Sequence, residues 1–183
     1  MGTTPKIPIE IRLATVDDAD AIAETHVASW KATYRGIVPQ DYLDSLSVQQ
    51  RADRWRSSLI APSAMNIYVA DLGGAICGFA SGGPARAEIP GFSGELYAIY
   101  LHPDAFLRGI GSRLFRAITE DLQFSGHRSM YVWVLADNPS RGFYERLGGK
   151  PLTAANIEIG GKTLVEVSYG WDDLAAGLRL ALP

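Results

Sequence analysis

Glu95-Leu-Tyr-Ala-Ile-Tyr-Leu-His-Pro-Asp-Ala-Phe-Leu-Arg-Gly-Ile-Gly-Ser-Arg-Leu-Phe115 passes from a β-prone apolar run, through a glycine-containing loop, into an amphipathic helix. A loop placed between strand and helix can aim several backbone N–H groups at one anion. The first amides of a helix have no internal acceptor, and the helix dipole favours negative charge beside them. Gly109 and Gly111 let a bulky anion approach the backbone, and Arg108 can add a charge-assisted contact. The preceding strand carries one acid, Glu95, on an otherwise apolar stretch. A phosphate cradle beside a carboxylate points to an enzyme that holds a phosphate-bearing cofactor and removes a proton. The loop is not a Walker loop, because no Gly-Lys-Ser/Thr closes it. It is not a full dinucleotide fingerprint either, because Leu114 stands where the third glycine belongs. Paired glycines also serve tight strand–helix packing, so the loop needs a second signal.

Outward from this segment, the helical and strand periods alternate along the chain. Ile9 to Ala14 reads as a strand, and Thr15-Val-Asp-Asp18 as a capping-box start. Ala19, Ile22, Ala23, His26, Val27 and Trp30 then share one helical face. Gln40 to Leu46 suits a short helix, and Ser47-Val-Gln-Gln50 opens another carrying Val48, Ala52, Trp55 and Leu59. Asp71-Leu-Gly-Gly74 separates two strands, Asn66–Ala70 and Ala75–Ser81, as a hairpin turn. Gly82 to Gly94, rich in glycine and proline, is expected to be a loop. Ser112 to Phe124 is a helix, Ser129 to Leu135 a strand, and Pro139 to Leu147 a helix ended by Gly148-Gly149. Gly160-Gly161 joins two last strands, Asn156–Ile159 and Lys162–Trp171. The expectation is a mixed α/β (α+β) domain with a mostly antiparallel sheet and at least one strand–helix–strand crossover.

At 183 residues the chain suits one domain, expected over residues 9–174, with a loose start at 1–8 and a tail at 175–183. A net charge of -3 leaves no basic footprint for nucleic acid. No apolar run is long enough to span a bilayer, and Met1 to Pro8 lacks a signal-peptide apolar region. The lone Cys77 excludes an internal disulfide and fits a reducing, cytoplasmic setting. His26, His102 and His127 have no metal-ligand spacing, so no metal is expected.

The second signal is Asp137-Asn-Pro-Ser-Arg-Gly-Phe-Tyr-Glu-Arg-Leu-Gly-Gly149, which follows a strand and enters a helix. With the opening segment it resembles the GNAT family of acyl-CoA-dependent N-acetyltransferases. The family loop Gln/Arg-x-x-Gly-x-Gly/Ala is matched by Phe106-Leu-Arg-Gly-Ile-Gly111. The later Asn and Phe-Tyr-Glu-x-x-Gly-Phe motif is matched by Asn138 and Phe143-Tyr-Glu-Arg-Leu-Gly148. Ala28 to Pro39 is similar to the family's first-helix region. The motifs stand in family order over roughly Ile9 to Leu174. Phe106 replaces the usual Gln or Arg, Gly149 replaces the usual Phe, and either Asp137 or Asn138 fills the Asn position.

The resemblance implies a sheet with one splayed strand pair, flanked by helices, and acetyl-CoA as the donor. It implies that Phe106, Leu107, Arg108, Gly109, Ile110, Gly111 and Ser112 hold the pyrophosphate. Ile99, Tyr100 and Leu101 would bond the pantetheine arm, with the Leu101 N–H polarising the thioester carbonyl. Asn138 and Ser140 would add cofactor contacts. Glu95 would take the proton of the attacking amine, whose ammonium form has a pKa near 10.4. Tyr144 would protonate the departing sulfur. Trp30, Tyr34, Tyr97 and Trp133, with Glu95, would surround the acceptor, where aromatic walls suit a cation with an apolar portion. The activity implied is acetyl transfer to a primary amine of a small molecule, through a ternary complex. A peptide or protein amine, or an acyl-CoA-binding module without chemistry, are the alternatives. The amine itself is not legible. Leu164 to Trp171 is as suited to a homodimer interface as to the core.

Overall fold

The computed structural model describes residues 8–61 and 64–175. The expected loose start and tail lie outside these described residues, apart from Pro8 and Ala175.

The chain opens with β1 (Ile9–Leu13) and a 3-10 turn at Val16–Asp18. The Thr15 amide donates to the Asp18 carboxylate at 2.7 Å, so the capping box forms as read. Arg12 bonds Asp18 and Asp71 together, which pins this turn to the sheet. Three helices follow: α1 (Ala19–Thr33), α2 (Gln40–Asp44) and α3 (Val48–Ile60). Next come β2 (Asn66–Leu72), β3 (Ala75–Ile89) and β4 (Phe92–Leu101). The remainder is α4 (Ile110–Phe124), β5 (Met130–Leu135), α5 (Arg141–Arg146), β6 (Lys150–Ile159) and β7 (Lys162–Trp171).

The strands form one sheet of seven, ordered β1-β2-β3-β4-β5-β7-β6. Every neighbouring pair is antiparallel except β4 and β5, which α4 connects. On one face α4 buries Leu114, Phe115, Ile118 and Leu122 against Leu96, Met130 and Val132. Each such side chain taken from water stabilises the fold by about 2 kcal/mol. On the other face Ile22 of α1 meets Val69 and Phe79, with Trp55 and Leu59 of α3 beside them.

One expectation fails. Residues 82–94 are not a loop: β3 runs on to Ile89 and turns back at Pro90–Gly91 into β4, with Gly83↔Glu95 and Pro84↔Gly94 in register. Gly82 serves helix packing rather than a turn, since a Cβ there would lie 2.6 Å from Ile118 Cγ2 of α4. A second departure lies within β4. Gly82 faces Leu96 while Ser81 faces Ala98, so Tyr97 is an extra residue in the ladder. Simple alternation puts Glu95, Tyr97, Ile99 and Leu101 on one side. The bulge breaks that pattern. Leu96, Ile99 and Leu101 pack with the α4 cluster, and Ala98 and Tyr100 pack with the α1–α3 cluster.

Candidate active site

β4 and β5 lie side by side at only two positions, Gly94↔Met130 and Glu95↔Tyr131. Beyond them the strands separate, and a cavity of about 400 Å³ opens between Tyr97–Leu101 and Val132–Val134. Phe106, Leu107 and Gly111 border it at the loop before α4; Thr33 and Tyr34 border it at the end of α1; Phe143 and Tyr144 come from α5. The His102 amide donates to Cys77 O at 2.9 Å, toward β3. Backbone donors alternate in direction along a strand. The N–H groups of Leu101 and Ile99 therefore point away from β3, into the gap.

The loop places helix amides at the cavity's end. Arg113 N–H is the first in α4 to find a backbone acceptor, Gly109 O at 3.3 Å. The amides of Ile110, Gly111 and Ser112 precede it and have no acceptor among the described residues. Leu107 is held at φ 60°, a left-handed conformation costing a side-chain-bearing residue about 1 kcal/mol, and it projects fully into solvent. Gly111 is needed for approach, since a Cβ there would come within 3.2 Å of the Phe143 ring. Ile110 buries its side chain in the core, so only its backbone is available to a ligand. Arg108 is exposed and does not line the cavity; Phe106 does line it but offers no polar side-chain atom.

Tyr144 is 7% exposed and borders the cavity, and its hydroxyl has no hydrogen-bond partner among the described residues. Burial, then the nearby Tyr100, raises its pKa, so the phenol stays protonated at neutral pH. Asn138, not the exposed Asp137, faces the cavity. Its Oδ1 accepts from the Ser140 amide at 2.8 Å and its Nδ2 donates to the Tyr34 hydroxyl at 3.2 Å. That pair ties the end of α1 to the approach to α5. Trp133 and Tyr97 line the cavity, whereas Trp30 does not. Trp30 stands behind Tyr34, ring edge to ring face at 4.8 Å, and packs toward Tyr42 and Arg51.

Glu95 sits at the apex of the gap, at the last position where β4 and β5 pair, beside the cavity-lining residues rather than among them. The Arg86 amide donates to Oε2 at 2.9 Å, the Arg86 guanidinium bonds both oxygens, and the Tyr131 hydroxyl lies 3.1 Å from Oε2. The Glu95 side chain is only 3% exposed, against 62% for Arg86. The Arg86 guanidinium also lies over the Tyr97 ring, 4.2 Å from its centroid. Sequence reading missed Arg86, because it falls in the stretch expected to be a loop.

Glu166 was missed as well. β5 and β7 pair without a shift, so Tyr131, Trp133 and Leu135 share a sheet face with Ser168 and Glu166. Burial, then the charge of Glu95, raises the Glu166 carboxyl pKa. The face thus combines aromatic rings with carboxylates, a surface suited to an organic cation. Strand alternation could have assigned Glu166 to it, but only once the β5–β7 register was known. Among the described residues no cluster of metal-ligating side chains occurs. No helix there is long and apolar enough to cross a membrane.

A sequence model of the FR47-like protein family matches residues 86–156. An uncharacterised N-acetyltransferase of Bacillus subtilis, YuaI, is 42% identical over 169 residues, covering 92% of this chain and 95% of that protein. The spermidine N(1)-acetyltransferase of Thermoplasma acidophilum is 27% identical over 143 residues, 78% of this chain and 88% of its own. Among solved structures, the PaiA N-acetyltransferase of Thermoplasma acidophilum in complex with coenzyme A superposes with a TM-score of 0.65. It is 23% identical and covers 87% of this chain and 98% of its own. The Salmonella typhimurium protein yncA with its cofactor acetyl-CoA gives a TM-score of 0.68 at 20% identity, over 91% and 94% of the two chains.

Proposed function

The chain belongs to the GNAT family of acyl-CoA-dependent N-acetyltransferases, and from that premise we propose that it acetylates a primary amine of a small molecule by direct transfer in a ternary complex. The observation that carries this reading is the parting of β4 and β5 beyond Glu95 and Tyr131. It leaves a cavity bounded by helix amides and a tyrosine hydroxyl that have no partner among the described residues, and by strand amides. The spermidine-acetylating relative and the aromatic, acidic sheet face both favour a cationic amine over a neutral acceptor.

The residues fit the donor. Anionic oxygens of a pyrophosphate match the amides of Ile110 to Ser112, and Arg108 is near enough in sequence to add charge. The Ile99 and Leu101 amides match the carbonyls of an extended arm. Acetyl-CoA supplies an activated acyl carbon as its thioester. Leu101 N–H stabilises negative charge that develops on the acyl oxygen. Tyr144 delivers its hydroxyl proton to the sulfur as the carbon–sulfur bond breaks. Glu95 takes the proton that the amine nitrogen sheds as it bonds to the acyl carbon, directly or through one water. The Asn138–Tyr34 contact holds the cavity's end wall in place.

The test is release of the free CoA thiol across a panel of alkyl amines, diamines and peptides. Release with small amines and none with peptides is expected. Release with peptides alone would replace this reading by the protein-acetylating one, and binding of acetyl-CoA with no release for any acceptor would make the chain a module without chemistry.

A further inference from the structure

Arg86 presents a cation to Glu95 from within the chain. Its guanidinium is paired with a carboxylate that is almost wholly buried, while its own side chain is mostly exposed. The same guanidinium covers the face of Tyr97, and Tyr97 is a wall of the cavity. Carboxylate, aromatic face and the neighbouring Tyr131 hydroxyl make a surround that suits any alkyl ammonium or guanidinium. With Arg86 in place, both Glu95 oxygens are engaged, and the guanidinium stands where an incoming amine would donate to the carboxylate.

We propose that the Arg86 guanidinium stands in for the acceptor's cationic group, and that an acceptor must displace it from Glu95 and Tyr97 in order to bind productively. This rests on the small-amine reading above. Arg86 is then a specificity-determining residue. It raises the KM of every amine, and it favours acceptors whose own cation can stack on Tyr97. The long, exposed side chain allows the exchange without movement of β3, because the Arg86 backbone amide keeps its own bond to Glu95.

Arg86→Gln separates this role from a structural one. The expected result is a fall of about 3- to 10-fold in amine KM, with the KM of acetyl-CoA unchanged. Guanidinium ion at low millimolar concentration should inhibit Arg86→Gln competitively against the amine, and inhibit the wild type far less. An unchanged or higher amine KM in a variant with the wild-type melting temperature overturns the proposal. If Arg86→Gln does not fold, Arg86→Lys replaces it. A lysine retains the charge but loses the fork and the stacking, so a smaller fall in amine KM is expected, and no fall overturns the proposal. A wild type that acetylates no small amine defeats the small-amine reading instead. The displacement is then read directly from the Arg86 Nε–H resonance during titration with an alkyl ammonium. A resonance that stays unmoved overturns the proposal on its own.

Discussion

Tyr131 is the residue beside Glu95 at the last position where β4 and β5 pair, and its hydroxyl lies 3.1 Å from the Glu95 carboxylate. The same hydroxyl reaches Ala87 O at 2.9 Å and Ala87 N at 3.1 Å. One phenol therefore fixes the apex of the gap and the long β3–β4 arm together. Tyr131→Phe should lower stability by about 1–2 kcal/mol, read from urea unfolding. A variant as stable as the wild type would show that the arm is held without it.

Among the described residues the Tyr144 hydroxyl has no hydrogen-bond partner, and Tyr144 borders the cavity. Tyr144→Phe removes only that oxygen. Turnover should fall on the order of 100-fold, with acetyl-CoA affinity by calorimetry unchanged. Equal loss of binding and turnover would make Tyr144 a binding residue instead.

Gly111 lets the start of α4 approach Phe143. Gly111→Val adds side-chain atoms where a single Cβ would already sit 3.2 Å from the ring, and the loop must shift. Acetyl-CoA should bind about 10-fold more weakly, while far-ultraviolet circular dichroism keeps its helical signal. Undiminished binding would place the cofactor's phosphates elsewhere.

His26 is buried among Trp30, Trp55, Phe79 and Tyr100, and its Nδ1 accepts from Trp55 Nε1 at 3.3 Å. Burial, aided by Arg51, lowers its pKa from 6.5 to about 3. The unfolded chain takes up a proton at His26 below pH 6.5, and the folded chain does not until about pH 3. Unfolding thus binds a proton across that window, and stability falls as pH falls. The loss from this residue between pH 7 and pH 5 is about 2 kcal/mol. Urea melts of His26→Gln over the same range should show a flatter slope. An equal slope would assign the pH dependence to other groups.

What could be read from the sequence was what local patterns carry, by their own chemistry or by their resemblance to family motifs. The loop Phe106 to Gly111, the helix after it and the Asn138–Tyr144 segment are local patterns, and the structure brings Phe106, Leu107 and Gly111 of the first and Asn138, Phe143 and Tyr144 of the last to one cavity. The hairpin at Gly73–Gly74 and the capping box at Thr15 followed from turn and cap chemistry in the same way. The bulge at Tyr97 was not legible, because an extra residue in a ladder depends on the partner strand and leaves alternation intact in one dimension. Gly82 to Gly94 was misread because glycines that accommodate α4 have the same composition as glycines that turn a chain. Trp30 shares a helix with cavity residues, yet its rotation about α1 turns it toward Tyr42. Arg86 and Glu166 reach Glu95's surroundings only through strand pairing.

The central claim is that an amine attacks the acyl group directly, inside the gap between β4 and β5. Initial rates of CoA thiol release, with acetyl-CoA and the best amine both varied, test it most directly. The account predicts double-reciprocal lines that intersect, the pattern of a ternary complex. Parallel lines would mean that an acyl-enzyme forms first, and release that does not depend on the amine would mean that the gap does not hold an acceptor at all.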